Sequence, residues 1–372
     1  MGIKINFSFR DKINNNDTIN KIEYEAIVII IKPLDIINAN ESLNIMNINI
    51  EKTLWLQFES KLPNAIAANE IIKDMGVKTL YIPNPKFFQR KCFTKIWTRS
   101  RCLLGITFLT LFPLAYGWWI FAYLQMKTRL NNIEKPRYLL CDPEAGKLLP
   151  ISILKPETVI FYDGGYSTIF KNYLQIFEKC GGFGLLKAGV NIKFTAMPYI
   201  LKRKILLNCC KEPLFITVYS ENVSQQLEST NKKSQLKIND YILLRQKFMD
   251  KNIDESFIII LGNITSGHNP NFLKNIREKI EPVFECQDKP LKIVYKPHPS
   301  EQIEPRVILE LQVNNIEVWN KKLPIEFELL NIQDLPKGIL SWNSSASIVL
   351  LKSLPKGVKI INIEDLTMIH SS

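Results

Sequence analysis

The hydrophobic pattern of this chain changes period repeatedly. Residues 26–32 (Ala-Ile-Val-Ile-Ile-Ile-Lys) form a continuous β-branched run, and Pro33 and Leu34 then open a helix-like stretch through Leu43. That succession predicts a buried strand followed by its crossover helix. Strand patterns recur at 52–57, 78–82, 137–141 and 158–162, with helical patterns at 65–75 and 168–178. Strand and helix thus alternate through the first half, as a parallel sheet requires. An apolar strand at 214–219 precedes a polar stretch, 222–240, rich in Ser, Gln, Asn and Lys, which is expected to be a connection. A second series follows: a strand at 257–261 ending at Gly262-Asn263, a helix near 271–280, and a strand at 291–295 that stops before Pro297. The expected organisation is an N-terminal Rossmann-like α/β domain over 1–221, a linker over 222–245 and a C-terminal Rossmann-like domain over 246–372, facing each other across a cleft. No repeat at solenoid periods is visible.

Length and composition agree with that division, since 372 residues exceed what one core usually serves and 46% of them are hydrophobic. A net charge of +12 suits nucleic acid, an anionic membrane surface or an anionic substrate such as a sugar nucleotide. The basic residues Lys86, Arg90, Lys91, Lys95, Arg99 and Arg101 stand directly before an apolar run and are not interleaved with a nucleic-acid motif. This placement favours the membrane surface over nucleic acid. No charged residue occurs from Cys102 to Tyr123, although Pro113 and Gly117 interrupt the run. An interfacial helix pair, a buried core helix and a true span all fit it.

The seven cysteines contain no C-x-x-C pair and the three histidines none at ligand spacing to a cysteine pair, so reduced thiols and no zinc site are expected. The start, Met1-Gly2-Ile3-Lys4-Ile5-Asn6, lacks the pattern of a secretory signal, which leads to an expected cytoplasmic location at the inner membrane face.

Three short motifs sit at strand ends, where open parallel sheets bind ligands. In Tyr162-Asp163-Gly164-Gly165-Tyr166-Ser167-Thr168, Asp163 stands at a strand tip beside glycines that permit close backbone approach. It is either a base for a hydroxyl proton or one half of a simple Asp-Gly turn. In Tyr295-Lys296-Pro297-His298-Pro299, two prolines fix the backbone around a single His that is either structural or positioned to neutralise a departing phosphate. In Ser341-Trp342-Asn343-Ser344-Ser345-Ala346-Ser347, before the apolar Ile348–Leu351, the hydroxyls mark a helix start. They serve as plain caps or, with the free N–H groups, as a phosphate seat.

In this order the motifs resemble those of the bacterial GT-B sialyltransferases of the lipooligosaccharide and capsule polysialic-acid types: an Asp/Glu-Asp/Glu-Gly motif, then His-Pro, then a Ser-Ser pair. Pro33-Leu34-Asp35-Ile36-Ile37-Asn38-Ala39 also looks like the Pro-Leu-Gln helix opening of many such enzymes. The resemblance implies a two-domain GT-B fold and metal-independent, inverting transfer of sialic acid from CMP-sialic acid to a glycan, with no cofactor. It implies Asp163 as general base, His298 at the donor phosphate, and Gly262, Pro299, Ser344 and Ser345 around the donor. The ribose would be held by Glu326 of Pro324-Ile325-Glu326, with Glu328 as the competing register. The chain departs from the family at Gly164, which replaces the second acid of the first motif. A transferase for another nucleotide sugar, or a polysaccharide-binding or assembly protein without catalysis, are the alternatives.

Overall fold

A computed structural model describes residues 22–58, 63–82, 123–142, 149–164, 212–228, 234–262, 276–284, 290–298, 301, 303–319, 323–342 and 344–368. Two parallel sheets organise these residues. The first has seven strands: β1 (Ala26–Ile30), β2 (Thr53–Phe58), β3 (Thr79–Ile82), β4 (Tyr138–Cys141), β5 (Thr158–Tyr162), β6 (Leu214–Thr217) and β7 (Gln235–Ile238). Their spatial order is β3-β2-β1-β4-β5-β6-β7. The second sheet contains β8 (Ile253–Leu261), β9 (Lys292–Lys296), β10 (Glu317–Val318), β11 (Leu335–Ser341) and β12 (Lys359–Asn362), in the order β10-β9-β8-β11-β12. Each sheet runs outward one way from its first strand and then outward the other way, the doubly wound arrangement expected from the sequence. The strand order therefore reverses between β1 and β4 in one sheet and between β8 and β11 in the other.

Strand composition follows from burial on both faces. All five residues of β1 are buried, with Ile27 and Ile29 in the core on one face and Ala26, Val28 and Ile30 in the core on the other. Neighbours keep this register, Ile27 lying opposite Leu54 of β2 and Leu139 of β4.

Helix α1 (Pro33–Ile45) begins with Pro at its first turn, and Asp35 accepts the N–H groups of Ile31 at 2.8 Å and Lys32 at 3.1 Å, closing the N-terminus. Further helices among the described residues include α2 (Pro63–Met75), α3 (Leu149–Leu154), α4 (Ser220–Glu228), α5 (Ile242–Met249), α6 (Ile276–Ile280), α7 (Pro305–Val313), α8 (Ile325–Asn331), α9 (Ser345–Ser353) and α10 (Ile363–Met368). Helix α1 is unusual in burying Asp35, Asn38, Glu41 and Ser42 at once. It is sandwiched between elements, and Ile37 packs with Tyr241, Leu244 and Phe248 in a core shared with the second sheet.

The stretch 222–245, expected as a linker, holds more structure than a connection. It contains most of α4, the strand β7 paired in register with β6 (Leu214 opposite Gln235), and the start of α5. Its polarity is that of an edge strand, three of whose four residues are exposed, and edge strands of this kind resist pairing with other chains. The helical pattern at 168–178 and the segment 102–122 lie outside the described residues. Among the described residues no helix is long and apolar enough to cross a membrane.

Candidate functional site

Asp163 is the first residue after β5 and is 2% exposed. Its carboxylate is held from the end of β6: the Thr217 hydroxyl donates to Oδ1 at 2.5 Å and the Val218 N–H donates to Oδ2 at 2.8 Å. Thr217 is itself fixed, because its oxygen accepts the Tyr219 N–H at 2.9 Å. Burial raises the Asp163 carboxyl to about pH 7, outweighing the two hydrogen bonds that favour its charged form. The backbone of the same turn is gripped by α1 and its N-cap. Asn38 donates to the Asp163 carbonyl at 2.7 Å, and Lys32 donates to the Gly164 carbonyl at 2.5 Å. Lys32 also pairs with Asp142, the residue that follows β4, at 3.3 Å.

Asn38 extends the network toward the second sheet. Its Oδ1 accepts the Tyr241 hydroxyl at 2.9 Å, and Tyr241 sits at a left-handed φ of 50° just before α5. Burial, and then the charges of Asp163, Tyr219, Glu326 and Glu41, hold the proton of the Tyr241 phenol on well above the ordinary range. Tyr241 thereby brings residues of both sheets, Asp163 and Glu326, into one electrostatic neighbourhood.

In the second sheet, His298 follows β9 and is half-buried. Its N–H donates to Glu301 Oε2 at 2.8 Å, its carbonyl accepts the Glu301 N–H at 2.8 Å, and Glu301 Oε1 accepts the Tyr295 hydroxyl at 2.5 Å. This knot fixes the loop carrying the imidazole. Burial lowers the His298 pKa, opposed by Glu301 and reinforced by Lys296. Gly262, after β8, lies against the same knot, and a Cβ there would run into Glu301 Oε2 and the Tyr295 hydroxyl.

The two acidic candidates on α8 differ. Glu328 accepts the Leu323 N–H at 3.0 Å, bracing the start of its own helix. Glu326 is buried and raised by desolvation, opposed by a hydrogen bond from its own backbone N–H and then by the Lys296 ammonium. Ser344 caps α9: its Oγ accepts the Ser347 N–H at 3.3 Å, while Ser347 Oγ accepts the Ser344 N–H at 3.0 Å. Gly262 and Ser344 thus lie at the ends of β8 and β11, on either side of the second strand-order reversal. Pro299 and the Ser345 side chain lie outside the described residues.

Sequence patterns named Asp163, His298, Gly262, Glu326 and Ser344, but not their partners. Thr217 closes a strand and Asp142 and Lys32 stand one and two residues past theirs, and that position was the available signal. Lys296 was visible two residues before His298, within a motif read for its prolines.

No family model matches this chain, and no curated protein matches its sequence. Among solved structures it is similar to the UDP-GlcNAc 2-epimerase of Methanocaldococcus jannaschii, with a TM-score of 0.47 and 13% identity over 93% of this chain and 91% of that one. It is also similar to the alpha/beta-galactoside alpha-2,3-sialyltransferase of the luminous marine bacterium Photobacterium phosphoreum, with a TM-score of 0.43 and 11% identity over 93% and 100%. UGT73P12 of Glycyrrhiza uralensis, solved with glycyrrhetinic acid 3-O-monoglucuronide, gives a TM-score of 0.45 and 12% identity over 93% and 80%. The chemistry of the site rests on this chain's own residues.

Proposed function

We propose that the protein is a GT-B glycosyltransferase that moves sialic acid from CMP-sialic acid to a glycan hydroxyl with inversion. The acceptor oxygen forms a bond to the anomeric carbon as the bond from that carbon to the phosphate oxygen breaks. The hydroxyl proton passes to Asp163, and CMP leaves with the bonding pair. The observation that carries this reading is the state of Asp163: a strand-tip carboxyl, fixed by two donors and raised to about 7, accepts a proton near neutral pH as a general base must.

His298 enters neutral at physiological pH, since burial lowers its pKa, and gains a proton or donates a hydrogen bond as phosphate charge develops. Ser344, Ser345 and the N–H groups opening α9 receive the phosphate, which requires the Ser344–Ser347 cap to yield a donor. Glu326 takes the ribose hydroxyls, with Glu328, whose carboxylate accepts the Leu323 N–H, as the competing register. The basic and apolar segment 86–123 holds the enzyme against an anionic membrane surface, close to lipid-linked acceptors.

The test is CMP release by detergent-solubilised protein given CMP-sialic acid and galactose-terminated or sialylated acceptors. Acceptor-dependent release that Asp163→Ala and His298→Ala abolish is expected. Turnover of other nucleotide sugars, with CMP-sialic acid left intact, would reassign the donor.

A further inference from the structure

The first strand-order reversal lies between β1 and β4, and the residues following those two strands are Lys32, two positions beyond Ile30, and Asp142. They form an ion pair of 3.3 Å in which Asp142 is fully buried and the Lys32 side chain is 23% exposed. The same ammonium donates to the Gly164 carbonyl at 2.5 Å. Gly164 has no side chain because its space is taken: a Cβ there would lie 2.7 Å from Asp142 Oδ2. Asp142, Lys32 and the Asp163-Gly164 turn are therefore one packed unit.

A buried ion pair is often no more stabilising than apolar side chains of the same volume. The five-residue strand β1 and its neighbours already hold this part of the fold through apolar contacts on both faces. The charges stand where the base is aimed, and nothing in the apolar packing calls for them.

We propose that Asp142 and Lys32 are positioning residues for Asp163. Asp142 is the second carboxylate of the site, supplied from β4 into the room left by Gly164, and Lys32 locks it to the turn that presents the base. This assignment rests on Asp163 acting as that base.

The experiment uses the full chain with CMP-sialic acid and the acceptor that wild type turns over. Asp142→Ala should lower kcat by about tenfold or more with donor KM within about twofold, since the turn and not the donor site is disturbed. Lys32→Met should do the same and Lys32→Arg should recover most of the loss. Gly164→Asp alone should be impaired, whereas Asp142→Ala combined with Gly164→Asp should regain activity over either single variant. Unchanged kcat in Asp142→Ala, a loss confined to KM, or a double variant no more active than the better of its singles would overturn the proposal.

Should wild type release no CMP, the transferase reading fails by itself, and wild type, Asp142→Ala, Gly164→Asp and the double variant are compared by thermal unfolding. Gly164→Asp lowering Tm in the wild-type background but not beside Asp142→Ala supports the exchange of one carboxylate for the other. Additive lowering refutes it.

Discussion

Asp163 shows how burial and hydrogen bonding pull one carboxyl in opposite directions. Its folded pKa of about 7 exceeds the ordinary value of 3.8. Between those values the unfolded chain has lost the proton that the folded chain keeps, so the residue's contribution to stability falls as pH rises through this window and is flat above it. Asp163→Asn should match wild type in stability near pH 4 and gain on it up to pH 7 by about 4 kcal/mol. Denaturant melts of both proteins at several pH values measure this, and a constant difference would show that the carboxyl is not raised. If Asp163 is the base, turnover should climb with pH to about 7 and level off above it. Gly262→Ala is expected to cost about 1–3 kcal/mol, by forcing apart the Glu301–Tyr295 knot, and to weaken donor binding with it. Asp163 was legible because a polar residue directly after an apolar run announces itself, and His298 because two prolines flank it just past a strand. Asp142 and Thr217 also stand at strand ends, but no motif surrounds Asp142, and the role of Thr217 lies in a contact made across neighbouring strands.

Among the elements, those with an unbroken apolar period were readable, and β5 falls on residues 158–162 as expected. Helix α1 was placed correctly by Pro33, yet its polar residues gave no hint of being buried. Asn38 and Glu41 are buried because their partners come from more than a hundred residues away, where no local pattern reaches. Glu41 accepts the N–H of Leu244 at 2.8 Å and of Leu243 at 3.2 Å, closing the start of α5 in place of a residue of its own. Glu41→Ala should therefore destabilise the protein by about 1–3 kcal/mol, measured by denaturant melts, because it leaves one buried and one part-buried donor unmet. Strand β7 was hidden for the opposite reason: an edge strand reads like a loop when most of its side chains face water. Ser344→Ala removes the α9 cap and should cost about 1 kcal/mol by the same measurement whether or not a phosphate ever binds there. A further drop in donor affinity would separate the phosphate role from the structural one.

At the scale of the molecule, the net charge of +12 and the segment 86–123 predict sedimentation with anionic vesicles that weakens as salt is raised. Binding that is equal on neutral vesicles would point to the apolar residues alone. The two sheets were foreseen as separate domains joined by a linker, and each does repeat the same winding order. Yet α1, which belongs to the first sheet by sequence, has Ile37 in the second sheet's core and Asn38 on the hydroxyl of Tyr241. Cutting the chain after the first sheet would strip Ile37 of its apolar surroundings and leave Glu41 buried without the α5 N–H groups. The first half thus depends on the second to complete its packing. The protein should melt as one cooperative unit, giving a single calorimetric peak, and a protease nick between the sheets should leave two fragments that stay together until both unfold.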